Sequence, residues 1–126
     1  MILIIGGRSQ GQDMIARAEL GEDAILAYSL EEAIGAPSRS RIILADFNED
    51  IYQRLSDGKD YAGLLDELLA SDKTLAILSD EVGLGIVPIE PFERQYREEI
   101  GRLQIMLASR ADKVIRAICG IGQRLK

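Results

Sequence analysis

A three-layer α/β sandwich, with a mostly parallel five-stranded sheet covered by helices on both faces, is the fold this sequence predicts. Two observations carry the prediction. Short apolar runs rich in β-branched residues recur along the chain at strand length, and unalternated runs of this kind suit strands buried on both faces of a parallel sheet. Between them lie segments whose apolar residues repeat at helical spacing, and strands alternating with helices imply right-handed βαβ crossovers. The length, 126 residues, fits one domain spanning 1–126, large enough to bury a core without disulfides or metal staples.

The chain opens on Met1-Ile2-Leu3-Ile4-Ile5, the first strand, which flows into Gly6-Gly7-Arg8-Ser9-Gln10-Gly11-Gln12-Asp13. From Gln12 to about Leu20, Met14, Ile15 and Ala18 recur at helical spacing, and Gly21 is a natural stop. Ala24 to Ser29 reads as the second strand, followed by a short helix from Leu30 to Ile34 closed by Gly35 and Pro37. Arg41 to Asp46 is the third strand, apolar until its terminal carboxylate. Two helical pieces, Asn48 to Leu55 and Tyr61 to Ala70, flank the turn-like Ser56-Asp57-Gly58-Lys59-Asp60. Thr74 to Ser79 is the fourth strand, and Asp80 to Pro91 a polar, glycine-rich loop.

The longest helix is expected from Phe92 to about Arg110. Phe92, Tyr96, Ile100, Leu103 and Leu107 fall on one stripe, while Glu90/Arg94, Glu93/Arg97 and Glu98/Arg102 are i,i+4 pairs with the acid first, the better orientation. Lys113 to Cys119 is the fifth strand, with Cys119 read as a small buried residue near its end. Gly120-Ile121-Gly122 then leads to a short basic tail with room for one extra strand.

Composition removes several function classes. Net charge is −6, with 15 basic against 21 acidic residues, which argues against a general nucleic-acid binder. The chain has no histidine and one cysteine, so imidazole is excluded as nucleophile, base or ligand, and a structural zinc site is not expected. The apolar runs are too short to span a bilayer, and no leader is expected before the first strand. These features predict a soluble cytoplasmic protein with neither nucleic acid nor membrane among its partners.

In a parallel sheet, ligands sit beyond the carboxyl ends of the strands, where the glycine loop, Asp46 and Asp80-Glu81 should converge. Gly6 and Gly11 have the spacing of the P-loop pattern G-x-x-x-x-G-K-[ST], whose backbone N–H groups cradle phosphates. Gly6, Gly7, Arg8, Ser9, Gln10, Gly11, Gln12 and Asp13 are therefore the candidate phosphate loop. Gln12 and Asp13, however, stand where that pattern has its lysine and hydroxyl. A carboxylate about 4 Å from a phosphate oxygen repels it by roughly 4 kcal/mol per unit charge at an effective dielectric near 20. The same carboxylate suits a helix start, where it caps free N–H groups itself. Arg8 either restores part of the positive charge or is simply solvated. Asp46 is either a weak magnesium ligand acting through water or the cap of an Asp46-Phe47-Asn48-Glu49 capping box. Glu81 is either a general base or metal ligand, or a solvated loop acid. Arg97 and Arg102 are candidate anion contacts, weighed against surface pairing with glutamates.

Asp80-Glu81-Val82-Gly83-Leu84-Gly85-Ile86-Val87-Pro88 resembles the Asn-Glu-Val-Gly-x-Gly-Ile-Val-Pro signature of the bifunctional adenosylcobinamide kinase/adenosylcobinamide-phosphate guanylyltransferase family of cobalamin synthesis. The likeness continues through Tyr96-Arg97, Gly101-Arg102, Leu107-Ala108, Ala111-Asp112 and Val114 to Gly120-Ile121-Gly122, and covers the opening strand and loop. It implies a P-loop-NTPase-like fold, GTP or ATP with magnesium or a corrinoid as ligand, a signature loop at Asp80, Glu81, Val82, Gly83, Gly85 and Pro88, and a trimeric homo-oligomer. The departures are Gln12, Asp13 and Asp80, only a loose match at Gln104-Ile105, and the lack of a long segment between the second and third strands. In the family that segment carries the histidine that becomes guanylylated, and this chain has none. The expectation is a truncated relative without kinase or guanylyltransferase activity and with no assigned catalytic residue. It would act as a binding or regulatory protein in corrinoid metabolism, alone or beside an intact paralogue. The alternative is an active nucleotide-dependent transferase in which Asp13, Asp46 and Glu81 gather a magnesium ion in place of the lysine. A purely structural subunit is the third reading.

Overall fold

The computed structural model describes residues 1–82 and 88–126. The apolar runs form β1 (Ile2–Gly6), β2 (Ile25–Ala27), β3 (Arg41–Leu44), β4 (Thr74–Asp80), β5 (Lys113–Ile118) and β6 (Ile121–Arg124). They are joined by α1 (Gln12–Leu20), α2 (Leu30–Gly35), α3 (Phe47–Ser56), α4 (Ala62–Ala70) and α5 (Pro91–Arg110). The six strands make one sheet in the order β2-β3-β4-β1-β5-β6, parallel except for β6, which returns antiparallel along β5. β1 is central, with Ile4 beside Leu78 of β4 and Ile115 of β5, so its carboxyl end and the glycine loop emerge at the middle of the sheet. The expected parallel sheet is present, and the tail supplies the extra strand.

Successive strand residues face opposite layers. Leu3, Ile42, Leu44 and Ile77 meet Leu30 and Ala33 of α2, Phe47 and Ile51 of α3, Leu65 and Leu68 of α4, and Ile100, Leu103 and Leu107 of α5. On the other face Ile4, Ile43, Ala76, Ile115 and Ala117 pack against Ala16 and Leu20 of α1. The stripe of α5 is consumed by this core, since Ile100, Leu103 and Leu107 are buried and Tyr96 packs against them. Phe92, at the start of the same stripe, is half-buried and lies edge-on to Tyr52.

Several local expectations are corrected. α1 does not pack through Met14 and Ala18: Met14 is 64% exposed and Ala18 is exposed, whereas the buried positions are Gln12, Ala16 and Leu20, an i, i+4, i+8 row led by a polar residue. β3 stops at Leu44, so Asp46 is not a strand-end residue but the residue before α3. β5 ends at Ile118, and Cys119 is exposed rather than buried. It shares a two-residue hairpin turn with Gly120, at φ 51 and 76, and positive φ at both positions is the signature of the type I′ turn that matches strand twist. On α5, Arg102 pairs with Glu99 at 3.0 Å rather than with Glu98; separately, Glu93 also accepts a 2.7 Å hydrogen bond from the Tyr52 hydroxyl, which that bond pushes upward in pKa.

A glycine loop and an acidic cleft

β1 hands over to α1 through the glycine loop, and the loop is held from two sides. From inside, the side chain of the buried residue Gln12 spans it: Nε2 donates to the Gly7 carbonyl at 2.9 Å, and Oε1 accepts from the Gln10 N–H at 3.1 Å. From outside, the β5–β6 turn docks on Gln10, whose Oε1 accepts from Cys119 N–H at 2.9 Å and whose carbonyl accepts from Gly120 N–H at 2.8 Å. Gly11 is the N-cap residue of α1, and no side chain caps that helix. Asp13 is exposed in the first turn, where its charge favours the helix dipole without making the expected cap.

Gly11 is required here twice over. Its φ is +89, and a Cβ would lie 2.8 Å from the Gly120 Cα, a backbone atom with little freedom to yield. Gly11→Ala combines left-handed strain of about 1–2 kcal/mol with displacement of the hairpin. We expect a loss of roughly 2 kcal/mol in urea unfolding; a change below about 0.5 kcal/mol would show that the turn does not rest on the loop.

Beside the loop a cleft of about 450 Å³ is lined by Arg8, Gln12, Asp13, Ala45, Leu78 and Tyr96 together with Asp46, Phe47, Asn48, Glu49 and Asp80. Among the described residues, four acids, Asp13, Asp46, Glu49 and Asp80, and one basic residue, Arg8, thus line the cleft. Asp46 precedes α3 but makes no side-chain cap bond, so the expected capping box does not form. Among the described residues no group of three or more Asp, Glu, Cys or His side chains is placed to hold a metal ion.

Glu81 does not join the cleft lining. Its N–H donates to the Gly6 carbonyl at 2.8 Å, and its carboxylate takes both Nε and Nη2 of Arg116 from β5, at 2.8 and 3.3 Å. Glu81 is thus a half-buried acid paired with Arg116 rather than a loop acid facing solvent alone. Arg97 and Arg102 also lie elsewhere, with Glu98, Gly101 and Ile105 along a shallow groove of α5. Of the signature loop, Asp80 lines the cleft, Val82 packs against the core, and Pro88 is half-buried. Gly83 and Gly85 lie outside the described residues.

The residue that composition and motif reading missed is Asn48. Buried at the start of α3, it donates from Nδ2 to the Asp80 carbonyl at 3.1 Å. Its Oδ1 accepts from the Ser79 hydroxyl at 2.7 Å and from the Asp80 N–H at 3.1 Å. Gln104 of α5 completes the network, donating to Ser79 Oγ and to the Asp80 carbonyl, each at 2.8 Å. Tyr96, whose phenol burial pushes up in pKa, closes the same wall with a long 3.4 Å bond to the Asn48 carbonyl. Polar residues at the end of one strand and the start of one helix were the available signal.

A central strand running into a glycine loop and helix, at the carboxyl edge of a mostly parallel sheet, defines a P-loop-type α/β protein. The chain belongs to the cobinamide kinase / cobinamide phosphate guanyltransferase family, CobU, whose model matches residues 40–125. It is similar to the bifunctional adenosylcobalamin biosynthesis protein CobU of Salmonella typhimurium, 38% identical over 52 residues, which is 41% of this chain and 29% of that protein. The protein of the same name from Escherichia coli is 36% identical over 52 residues, with the same shares. The matched stretch thus spans less than a third of either relative. Among the described residues, no helix is long and apolar enough to cross a membrane.

Proposed function

We propose that this chain is a degenerate member of its family, a cytoplasmic binding or regulatory protein of corrinoid metabolism without kinase or guanylyltransferase activity. The observation that carries this reading is the charge of the cleft. A nucleotide entering it would bring its phosphates toward Asp13, Asp46, Glu49 and Asp80, with Arg8 as the facing cation and Gln12 in place of the motif's lysine. Guanylyl transfer through a histidine has no residue to use, because the chain has none. Family membership supplies the corrinoid context, and the ligand is a corrinoid or an intact paralogue rather than a nucleotide.

Calorimetric titration of the purified protein with GTP and with ATP, each with and without magnesium, tests this directly. No binding heat is expected at millimolar nucleotide. Micromolar, magnesium-dependent binding that weakens in Asp46→Ala would overturn the reading in favour of an active transferase whose metal is held by carboxylates.

A further inference from the structure

A P-loop binds phosphate because consecutive backbone N–H groups point into its hollow, and an unfilled hollow leaves those donors to water. In this chain the hollow has an occupant of its own. The Gln12 carboxamide crosses it, its oxygen on the Gln10 N–H and its nitrogen on the Gly7 carbonyl. The residue is 7% exposed, and its side chain packs on the end of β1, where a Cβ on Gly6 would come within 3.1 Å of Nε2. Both polar ends of the amide are satisfied, so nothing drives it out toward solvent. Gln10 cannot swing away to receive a ligand either, because its carbonyl and Oε1 are committed to Gly120 and Cys119 on the hairpin side.

We propose that Gln12 is a built-in plug of the phosphate cradle, an autoinhibitory contact in which a neutral amide oxygen takes an N–H that a phosphate oxygen would need. This deepens the reading above and rests on it for the claim that the loop takes no nucleotide. It adds a distinct cause. Charge repulsion by Asp13 acts on any anion nearby, whereas the plug acts on one donor and persists when Asp13 is neutralised.

The test is titration of inorganic pyrophosphate into wild type, Asp13→Ser, Gln12→Ala and Gln12→Ala/Asp13→Ser, followed by the backbone amide resonances of the loop. Wild type and Asp13→Ser should show no saturable shift at the Gln10 amide. The double variant should show one, saturating at a pyrophosphate concentration at least tenfold below the highest at which Asp13→Ser stays silent. Equal binding by Asp13→Ser and the double variant would overturn the plug, as would a folded double variant that does not respond. Gln12→Met keeps the bulk and removes both hydrogen bonds, which guards against a double variant that fails to fold. Hydrogen exchange at the Gln10 amide should accelerate at least tenfold in Gln12→Met while Ile4 is unchanged, and unchanged Gln10 protection would sink the proposal. Should wild type bind GTP with the Gln10 resonance unmoved, the functional reading fails and the plug stands. Should Gln12→Ala/Asp13→Ser and wild type both stay inert, the plug fails and the functional reading stands.

Discussion

Asn48→Ala should destabilise the protein by about 3 kcal/mol, because it leaves one buried and one half-buried donor without this partner at roughly 1–3 kcal/mol each. The Ser79 hydroxyl, 1% exposed, loses its acceptor, and so does the Asp80 N–H. The Asp80 carbonyl keeps its bond from Gln104, so the penalty stops short of collapsing the whole network. For a domain of this size each kcal/mol moves the melting temperature by about 4 °C, so a drop near 12 °C is expected by thermal unfolding. Asn48→Asp separates hydrogen bonding from volume. It retains both acceptor roles but sets a carboxylate against the Asp80 carbonyl and adds a fifth acid beside Asp46 and Glu49. It should therefore be at least as unstable as the alanine variant at pH 7. A loss below 1 kcal/mol in both variants would mean that water takes over these bonds and that the end of β4 is not held from α3.

The central strand, its glycine loop and the start of α1 were legible because an unalternated run ends in glycines of fixed spacing, and both properties are local. Cys119 was assigned to the strand because period and hydrophobicity continue through it; the two positive φ angles that end the strand depend on how β6 returns. Gln12 was visible only as a missing lysine. That its amide turns inward follows from the Gly7 carbonyl and Gln10 N–H meeting it once the loop closes, and pattern matching contains no such atoms. Met14 recurs with Ile15 and Ala18 at helical spacing but faces outward, and a satisfied glutamine leads the inner row of α1.

The cleft itself was partly foreseen. Asp46, Asp80 and the loop converge as the switch-point rule requires, whereas Glu81 is drawn off by Arg116, 35 residues away along the chain. The wall behind the cleft joins Asn48, Ser79 and Gln104 from three elements, and a single sequence reveals long-range polar partners of this kind only as scattered polar letters.

Arg54→Met should cost a further stability loss of about 3 kcal/mol, since removing one member of a buried ion network leaves an uncompensated charge. Arg54, on α3, is buried and reaches across to α2. Its Nε donates to Asp50 Oδ1 at 3.1 Å and its Nη2 to Glu31. Asp50 also accepts from the Leu30 N–H at 2.9 Å, which ties the start of α2 to α3. Asp50→Asn keeps an acceptor for Leu30 while removing the charge. The Arg54→Met/Asp50→Asn protein should accordingly recover most of the loss, and additive losses would mean the two side chains do not act as a pair. The acid dependence has a fixed sign. The hydrogen bond from Arg54 holds the Glu31 carboxyl below the usual carboxylate range, so its contribution is fully present above its unfolded pKa and is lost as pH falls through the lowered folded value. Glu31 is more than half exposed, so this part of the effect is small and screened by salt. Wild type and Arg54→Met should thus draw closer in denaturant midpoint as pH falls from neutral to below the usual glutamate range, and a gap that stays constant over that fall would remove Glu31 from the network.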